Sequence, residues 1–289
     1  MRLSRRPLAA AAAAVVLLAG CSDDPAATEP VAAPSPTGPA PVSLVRAAAA
    51  QTDGQQTSRY ALTTATTVNG AEVVFAGEGV YDWARDTGQT TYDTPVGKVQ
   101  QRLVGADLFL VLPQQPRVFF KLKTADVATS PVGGTVDPTA QLHTLAAVAE
   151  AEVVGEQEVR GEPTTHYRGT YDVARALRGA RGLQQAALRS ALGPAASASR
   201  AAYDVFLDGQ GRLRRLTQTV DVPSSTGQTL TVTTTLEMYD FGVPVIVMSP
   251  PGAVQRDGAP LLAALRKALP QPTATPAPAP EAPAPTPTS

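Results

Sequence analysis

Apolar and polar residues alternate over most of the middle of the chain, with the period of two that sends successive strand side chains to opposite faces. Ser58–Val68 is the clearest run, in which Tyr60, Leu62 and Thr64 alternate with Arg59, Ala61 and Thr63. Asn69-Gly70 follows, a dipeptide suited to the left-handed residues of a two-residue hairpin. Ala71–Trp83 then returns, rich in Val, Phe and Tyr. Further strands are expected at Thr90–Thr94, Lys98–Val104, Asp107–Leu112, Arg117–Lys123, Ala151–Arg160, Thr164–Tyr171, Ala201–Leu207, Arg212–Val222 and Thr229–Tyr239. Asp208-Gly209-Gln210-Gly211 reads as a hairpin turn, and the short connections imply an antiparallel meander.

Three segments break the alternation. Val42–Gln51 reads as a helix. Asp137 as N-cap, with Pro138 at the first helical position, predicts a second helix running to about Glu150. The third covers Asp172–Leu192, where Val173, Ala176, Leu177, Ala180, Leu183, Ala187, Leu188 and Ala191 share one face, opposite Arg175, Arg178, Gln185 and Arg189. Gly179 and Gly182 weaken it, so it needs a surface to lie on. One large sheet carrying amphipathic helices is an α+β layout.

The flanks have a different character. Arg2, Arg5 and Arg6 precede an apolar run, Leu8–Leu18, that is too short to span a membrane. Leu18-Ala19-Gly20-Cys21 then resembles the lipobox of bacterial lipoproteins: small residues admit the peptidase, and the thiol takes up a diacylglyceryl group. Cys21 is the only cysteine. Residues 1–20 are therefore expected to be a lipoprotein signal peptide, and Cys21 an acylated anchor on the extracytoplasmic face of the cell membrane. Each buried CH₂ holds it by about 0.8 kcal/mol. Ser4-Arg5-Arg6-Pro7-Leu8 also resembles a twin-arginine export signal. Residues 21–41 read as a disordered Pro/Ala-rich tether with polyproline II character. Residues 42–253 read as the globular domain. Residues 254–270 form a short helix with Leu261, Leu262, Leu265 and Leu269 on one side, expected to dock on the domain, and residues 271–289 a Pro/Ala/Thr tail that cannot pack.

Composition narrows the function. The formal charge is −1 and becomes more acidic once the signal is removed, so no basic surface for nucleic acid is expected. Hydrophobic residues make up 43% but aromatics only 5%, which implies an aliphatic, threonine-lined interior. His143 and His166 have no companions at metal-ligand spacing, and Glu156 and Glu158 suit a solvated strand face. Gly77-Glu78-Gly79 lies inside a strand with no helix after it, which speaks against a phosphate loop. The Asp208–Gly211 turn is too short for a calcium loop, and no G-x-S-x-G occurs. No enzymatic activity, metal or cofactor is expected. Arg212, Arg214 and Arg215 form a basic cluster, better read as a solvated hairpin tip than as a contact for anionic headgroups.

Three blocks carry a family resemblance: "VVGEQEVRGEPTTHYRGTYDV" (Val153–Val173), "YDVFLDGQGRLRRLTQTVDV" (Tyr203–Val222) and "LEMYDFGVPVIVMSPP" (Leu236–Pro251). In this order behind a lipobox, they resemble the LppX/LprA/LprF/LprG lipoproteins, a family similar in fold to LolA and LolB. The resemblance implies a curved antiparallel sheet, a half-open barrel, with helices over its concave face. It also implies an apolar cavity that takes acyl chains of a lipid or glycolipid and carries them across the envelope. The alternating positions Leu62, Phe75, Leu108, Leu110, Val118 and Phe120 are the candidate cavity residues of the sheet, faced by Leu177, Leu183 and Leu188 of the third helix. The same composition suits a filled core. Expected partners are the lipid ligand, the membrane through Cys21, and an envelope transporter. The alternative is an RseB-like sensory or scaffold lipoprotein that binds an envelope protein. The chain from Ala259 onward departs from the family's usual end.

Overall fold

Strand β1, Thr57–Val68, pairs antiparallel with β2, Ala71–Asp82, on one side and with β11, Thr229–Tyr239, on the other. The first pairing begins at Val68↔Ala71 and so leaves two residues for the connection. The computed structural model describes residues 39–68, 71–94, 97–129, 140–180, 182–192, 200–223 and 229–268. Asn69-Gly70, Asp137, Pro138, the signal segment, Cys21, the tether and the 271–289 tail lie outside the described residues.

The remaining strands are β3 (Thr87–Thr94), β4 (Gly97–Val104), β5 (Asp107–Val111), β6 (Phe119–Lys123), β7 (Val148–Val159), β8 (Glu162–Asp172), β9 (Arg200–Asp208), β10 (Leu213–Pro223) and β12 (Gln255–Asp257). They form one curved, unclosed sheet in the order β12-β6-β5-β4-β3-β2-β1-β11-β10-β9-β8-β7. All of its pairs are antiparallel except β12 with β6. This is the half-open antiparallel architecture expected from the sequence, and its helices lie on the concave face.

Helix α1, Pro41–Asp53, packs on β7, β9 and β10 through Val45, Ala48, Ala49 and Thr52, the i, i+3, i+4, i+7 stripe of an amphipathic helix. Two polar clamps fix it. Thr52 Oγ1 donates to Ala48 O at 2.6 Å and accepts the Leu213 N–H at 2.9 Å. The Arg46 guanidinium donates to Val148 O at 2.9 and 2.6 Å.

The other helices correct the sequence reading. The second expected helix is a 3-10 turn, Leu142–Ala147, and the chain is already in β7 at Val148. Pairing of Val148 with Tyr171 and capture of its carbonyl by Arg46 give this backbone better partners than another helical turn would. The third helix is two helices, α3 (Val173–Gly179) and α4 (Gly182–Leu192). Asp172 caps α3 by accepting the Arg175 N–H at 2.7 Å. The break falls at extended Ala180, between the two glycines, where helix propensity is lowest. Gln185 Nε2 donates to the Leu177 carbonyl across the break at 2.6 Å.

Two elements have no counterpart in the sequence reading. A short helix, α2 (Thr124–Ala128), follows β6 directly. Strand β12 is the other; the helix expected over residues 254–270 is α5 (Ala259–Ala268), and its Leu262 is buried. Between β11 and β12 the chain passes from the middle of the sheet to its far edge. This crossing is pinned at its start, where Gly242 N–H donates to Thr57 O at 3.0 Å and Thr57 Oγ1 to Val243 O at 2.8 Å.

The outward face of β8 to β11 is a polar ladder. Thr217 meets Thr235 at 3.2 Å and Thr219 meets Thr233 at 3.3 Å. Glu237 accepts from Arg215 and Arg160.

Candidate functional site

Register alone decides which side chains share the concave face. One row across the sheet reads Ser58, Tyr81, Gly88, Leu103, Leu108, Leu122. The next reads Tyr60, Gly79, Thr90, Gln101, Leu110, Phe120. A third joins Leu216, Leu236, Leu62, Gly77 and Tyr92. The last two are Gln218, Thr234, Thr64, Phe75 and Val220, Val232, Thr66, Val73. Leu62, Phe75, Leu108, Leu110 and Phe120 therefore do point to one face. Val118 precedes β6, so strand alternation does not place it.

Burial falls from row to row. Leu108 is 0% exposed, Leu110, Phe120 and Leu62 are half-buried, and Phe75 and Val73 are each 45% exposed. The first rows belong to a filled core with Tyr60, Tyr203, Leu216 and Met238. Glycines make room for its rings: a Cβ on Gly77 would sit 2.5 Å from Tyr92 Cδ1. The Gly77-Glu78-Gly79 sequence thus serves aromatic packing, not phosphate binding. Of the helical candidates, Leu177 and Leu188 are buried, and the Leu183 side chain lies outside the described residues.

Below α4 a cavity of about 20 Å³ remains, lined by Gln141, Tyr171, Leu188, Leu192, Gln218, Val220, Val232 and Thr234. Its floor residues are the inner ends of the last two rows. The floor therefore runs from this cavity, across β11 and β1, to exposed Val73 and Phe75, with Thr234, Thr64 and Thr66 set between its apolar side chains. At about 4.8 Å per strand, the path from β10 to β2 is about 14 Å long. Sequence reasoning missed Val73, Thr64, Thr66, Val220 and Val232, although the alternation that selected Leu62 and Phe75 would have found them.

The interior is of low polarity. Burial pushes the Tyr92 hydroxyl up to about 12, against a hydrogen bond with Thr90. Burial also raises Tyr171 and Tyr203. Tyr203 donates to Glu150 O at 2.9 Å, and Gln218 Nε2 donates to Thr144 Oγ1 at 2.6 Å.

The other candidate groups are tied into the structure. His166 bonds Asp204 at 2.6 Å and stacks on Phe206 at 4.3 Å, while Glu156 and Glu158 are exposed strand residues. Asp208 Oδ1 accepts the N–H groups of Gln210 and Arg212, which builds the hairpin turn. The basic cluster is neutralised: Arg212 pairs with Asp208, Arg214 with Glu162 and Asp208, and Arg215 with Glu237. A larger, open groove of about 490 Å³ lies at the far edge, where Lys121, Lys123, Arg256 and Arg266 mingle with Asp126 and Asp257 over Leu122 and Leu262. Its rim is too charged to shelter an acyl chain, so we place the candidate site on the concave face. Among the described residues no helix is long and apolar enough to cross a membrane, and no His, Cys, Asp and Glu gather as a metal site.

No protein-family model and no curated protein matches the chain. Solved structures with a similar fold include the Mycobacterium tuberculosis lipoprotein LppX, at 17% identity and a TM-score of 0.49, covering 72% of this chain and 97% of that one. LprF from Mycobacterium bovis is 11% identical with a TM-score of 0.45, covering 73% and 97%. A LolA superfamily protein from Nitrosomonas europaea is 10% identical with a TM-score of 0.30, covering 75% and 97%. The likeness is one of fold.

Proposed function

We propose that this chain is an envelope lipoprotein, anchored through acylated Cys21, that binds acyl chains of a lipid or glycolipid on its concave face and carries them across the envelope without chemistry of its own. One observation carries the reading: a floor of valine, threonine and phenylalanine side chains that leads from the cavity under α4 to exposed Val73 and Phe75. A sixteen-carbon chain left in water costs on the order of 12 kcal/mol at about 0.8 per CH₂. A surface that covers part of that chain lowers the cost of crossing an aqueous gap. Threonines at positions 64, 66 and 234 give the floor width without aromatic bulk.

Mass spectrometry of organic extracts from the purified chain tests this. Recovery of a stoichiometric acyl lipid is expected. A lipid-free chain that also fails to take up a fluorescent fatty acid overturns the proposal.

A second reading, a scaffold for an envelope protein, is favoured by a different surface. On the crossing from β11 to β12, Ile246 is 83% exposed and Met248 71% exposed, while Val245 and Val247 between and beside them are half-buried. Loss of partner capture on Ile246→Ser/Met248→Ser, with lipid content unchanged, would support it.

A further inference from the structure

The cavity under α4 is not purely apolar. Tyr171 is 0% exposed, and its hydroxyl has no hydrogen-bond partner among the described residues. Gln141 Oε1, on the same cavity wall, is likewise buried and unpartnered. Buried polar side-chain atoms are nearly always paired, because leaving water without a replacement bond is costly. A lining meant only for hydrocarbon would carry Phe and Leu at these positions.

The two atoms also complement each other. Gln141 Oε1 only accepts, whereas the Tyr171 hydroxyl can donate. A single O–H between them donates to Gln141 and accepts from Tyr171. The cavity, at about 20 Å³, has room for one group of that size. We infer that this cavity is a hydroxyl-recognition subsite, and that the preferred ligand is an acyl lipid whose chain lies along the floor and bears an O–H that reaches in under α4. A water molecule would satisfy the same two atoms, and the ligand hydroxyl would displace it while reproducing both bonds. Leu188, Leu192, Val220 and Val232 supply the apolar part of the wall, with Gln218 and Thr234 beside the polar pair, and the methylenes that carry the hydroxyl stay outside on the floor. Position 171 is set by β8, whose Tyr171 pairs with Val148 at the start of β7. Position 141 is set by the 3-10 turn that follows it. Neither side chain depends on the other for its placement.

This inference rests on the lipid reading above, and the test separates the two. The probes are stearate and a positional series of hydroxystearates, titrated into delipidated full chain, wild type and Tyr171→Phe and Gln141→Leu variants. At least one hydroxystearate is expected to bind wild type roughly tenfold more tightly than stearate, the worth of about one net hydrogen bond. Tyr171→Phe and Gln141→Leu are each expected to abolish that preference, so that in either variant every hydroxystearate binds no more tightly than stearate does. The unfolding midpoint of ligand-free Tyr171→Phe should match wild type, since the hydroxyl has no partner among the described residues to lose. Equal binding of stearate and every hydroxystearate overturns the subsite and leaves the lipid reading standing. So does a preference that survives in both variants, or a large drop in the Tyr171→Phe midpoint. Binding of none of the probes overturns the lipid reading and the subsite together.

Discussion

Gly79 stands directly across from Tyr60 in the β1–β2 pair, and a Cβ on it would lie 2.8 Å from the Tyr60 hydroxyl and press on the Gln89 carbonyl oxygen. The Tyr60 ring is sealed there, and its hydroxyl bonds Thr90 Oγ1. Gly79→Ala is therefore expected to destabilise the fold by about 1–3 kcal/mol through overpacking. Gly209→Ala, at a position with no atom nearby, is the control. Urea denaturation of both variants measures the difference, and a shared midpoint would remove the steric account of Gly79.

Thr52 joins α1 to the sheet by accepting the buried Leu213 N–H. Thr52→Val keeps the shape but removes the acceptor, leaving an unpaired buried donor at a cost of about 1–3 kcal/mol. Thr52→Ser retains the oxygen and should lose less. Equal midpoints for Val and Ser in thermal unfolding would show that volume, not the hydrogen bond, matters.

Acid stability should depend on Glu237. Burial pushes its carboxyl up, but the hydrogen bonds and charges of Arg160 and Arg215 outweigh that and hold it below the usual carboxylate range. A carboxyl depressed in the folded state contributes stability that is complete above its unfolded value, about 4.3, and is lost as pH falls below that value through the folded one. Glu237→Gln is expected to cost about 1 kcal/mol at neutral pH. It should also flatten the loss of stability between about pH 4.5 and 3. Parallel pH profiles for wild type and variant would contradict this.

Phe75 tests the open end of the floor. Because it is 45% exposed, Phe75→Asp should leave the unfolding midpoint within about 0.5 kcal/mol of wild type. Placing a charge where an acyl chain would lie should reduce co-purified lipid severalfold. Unchanged lipid content would move the ligand to another surface.

The anchor is tested at Cys21. Cys21→Ala should accumulate as unprocessed precursor and take up no radiolabelled palmitate. Equal labelling of variant and wild type would count against acylation at this residue.

Much of the sheet was legible because strand periodicity is a local property. Tyr60, Leu62 and Thr64 alternate with their neighbours whatever the rest of the chain does, and a two-residue connection at positions 69–70 then fixes Thr64 opposite Phe75. The start of the third helical segment at Asp172 was readable for the same reason. The sequence by itself therefore determined the strands, their antiparallel order through the hairpins and the common face of Leu62, Phe75, Leu108, Leu110 and Phe120. Only the tertiary structure decided how far each of these is covered. Leu108 and Phe75 carry the same strand signal, yet one is sealed in the core and the other lies open at the far row. Coverage comes from helices distant in sequence, and no local pattern records where they land. Long-range partners likewise ended the expected second helix at Val148, enlisted residues 255–257 as a strand beside β6, and paired Arg214 with Glu162. Gln141 and Tyr171 stand thirty residues apart with nothing in their neighbourhoods to link them. Packing the 3-10 turn and β8 under α4 brings them to one cavity, because burying the apolar faces of those elements leaves their polar atoms no other place.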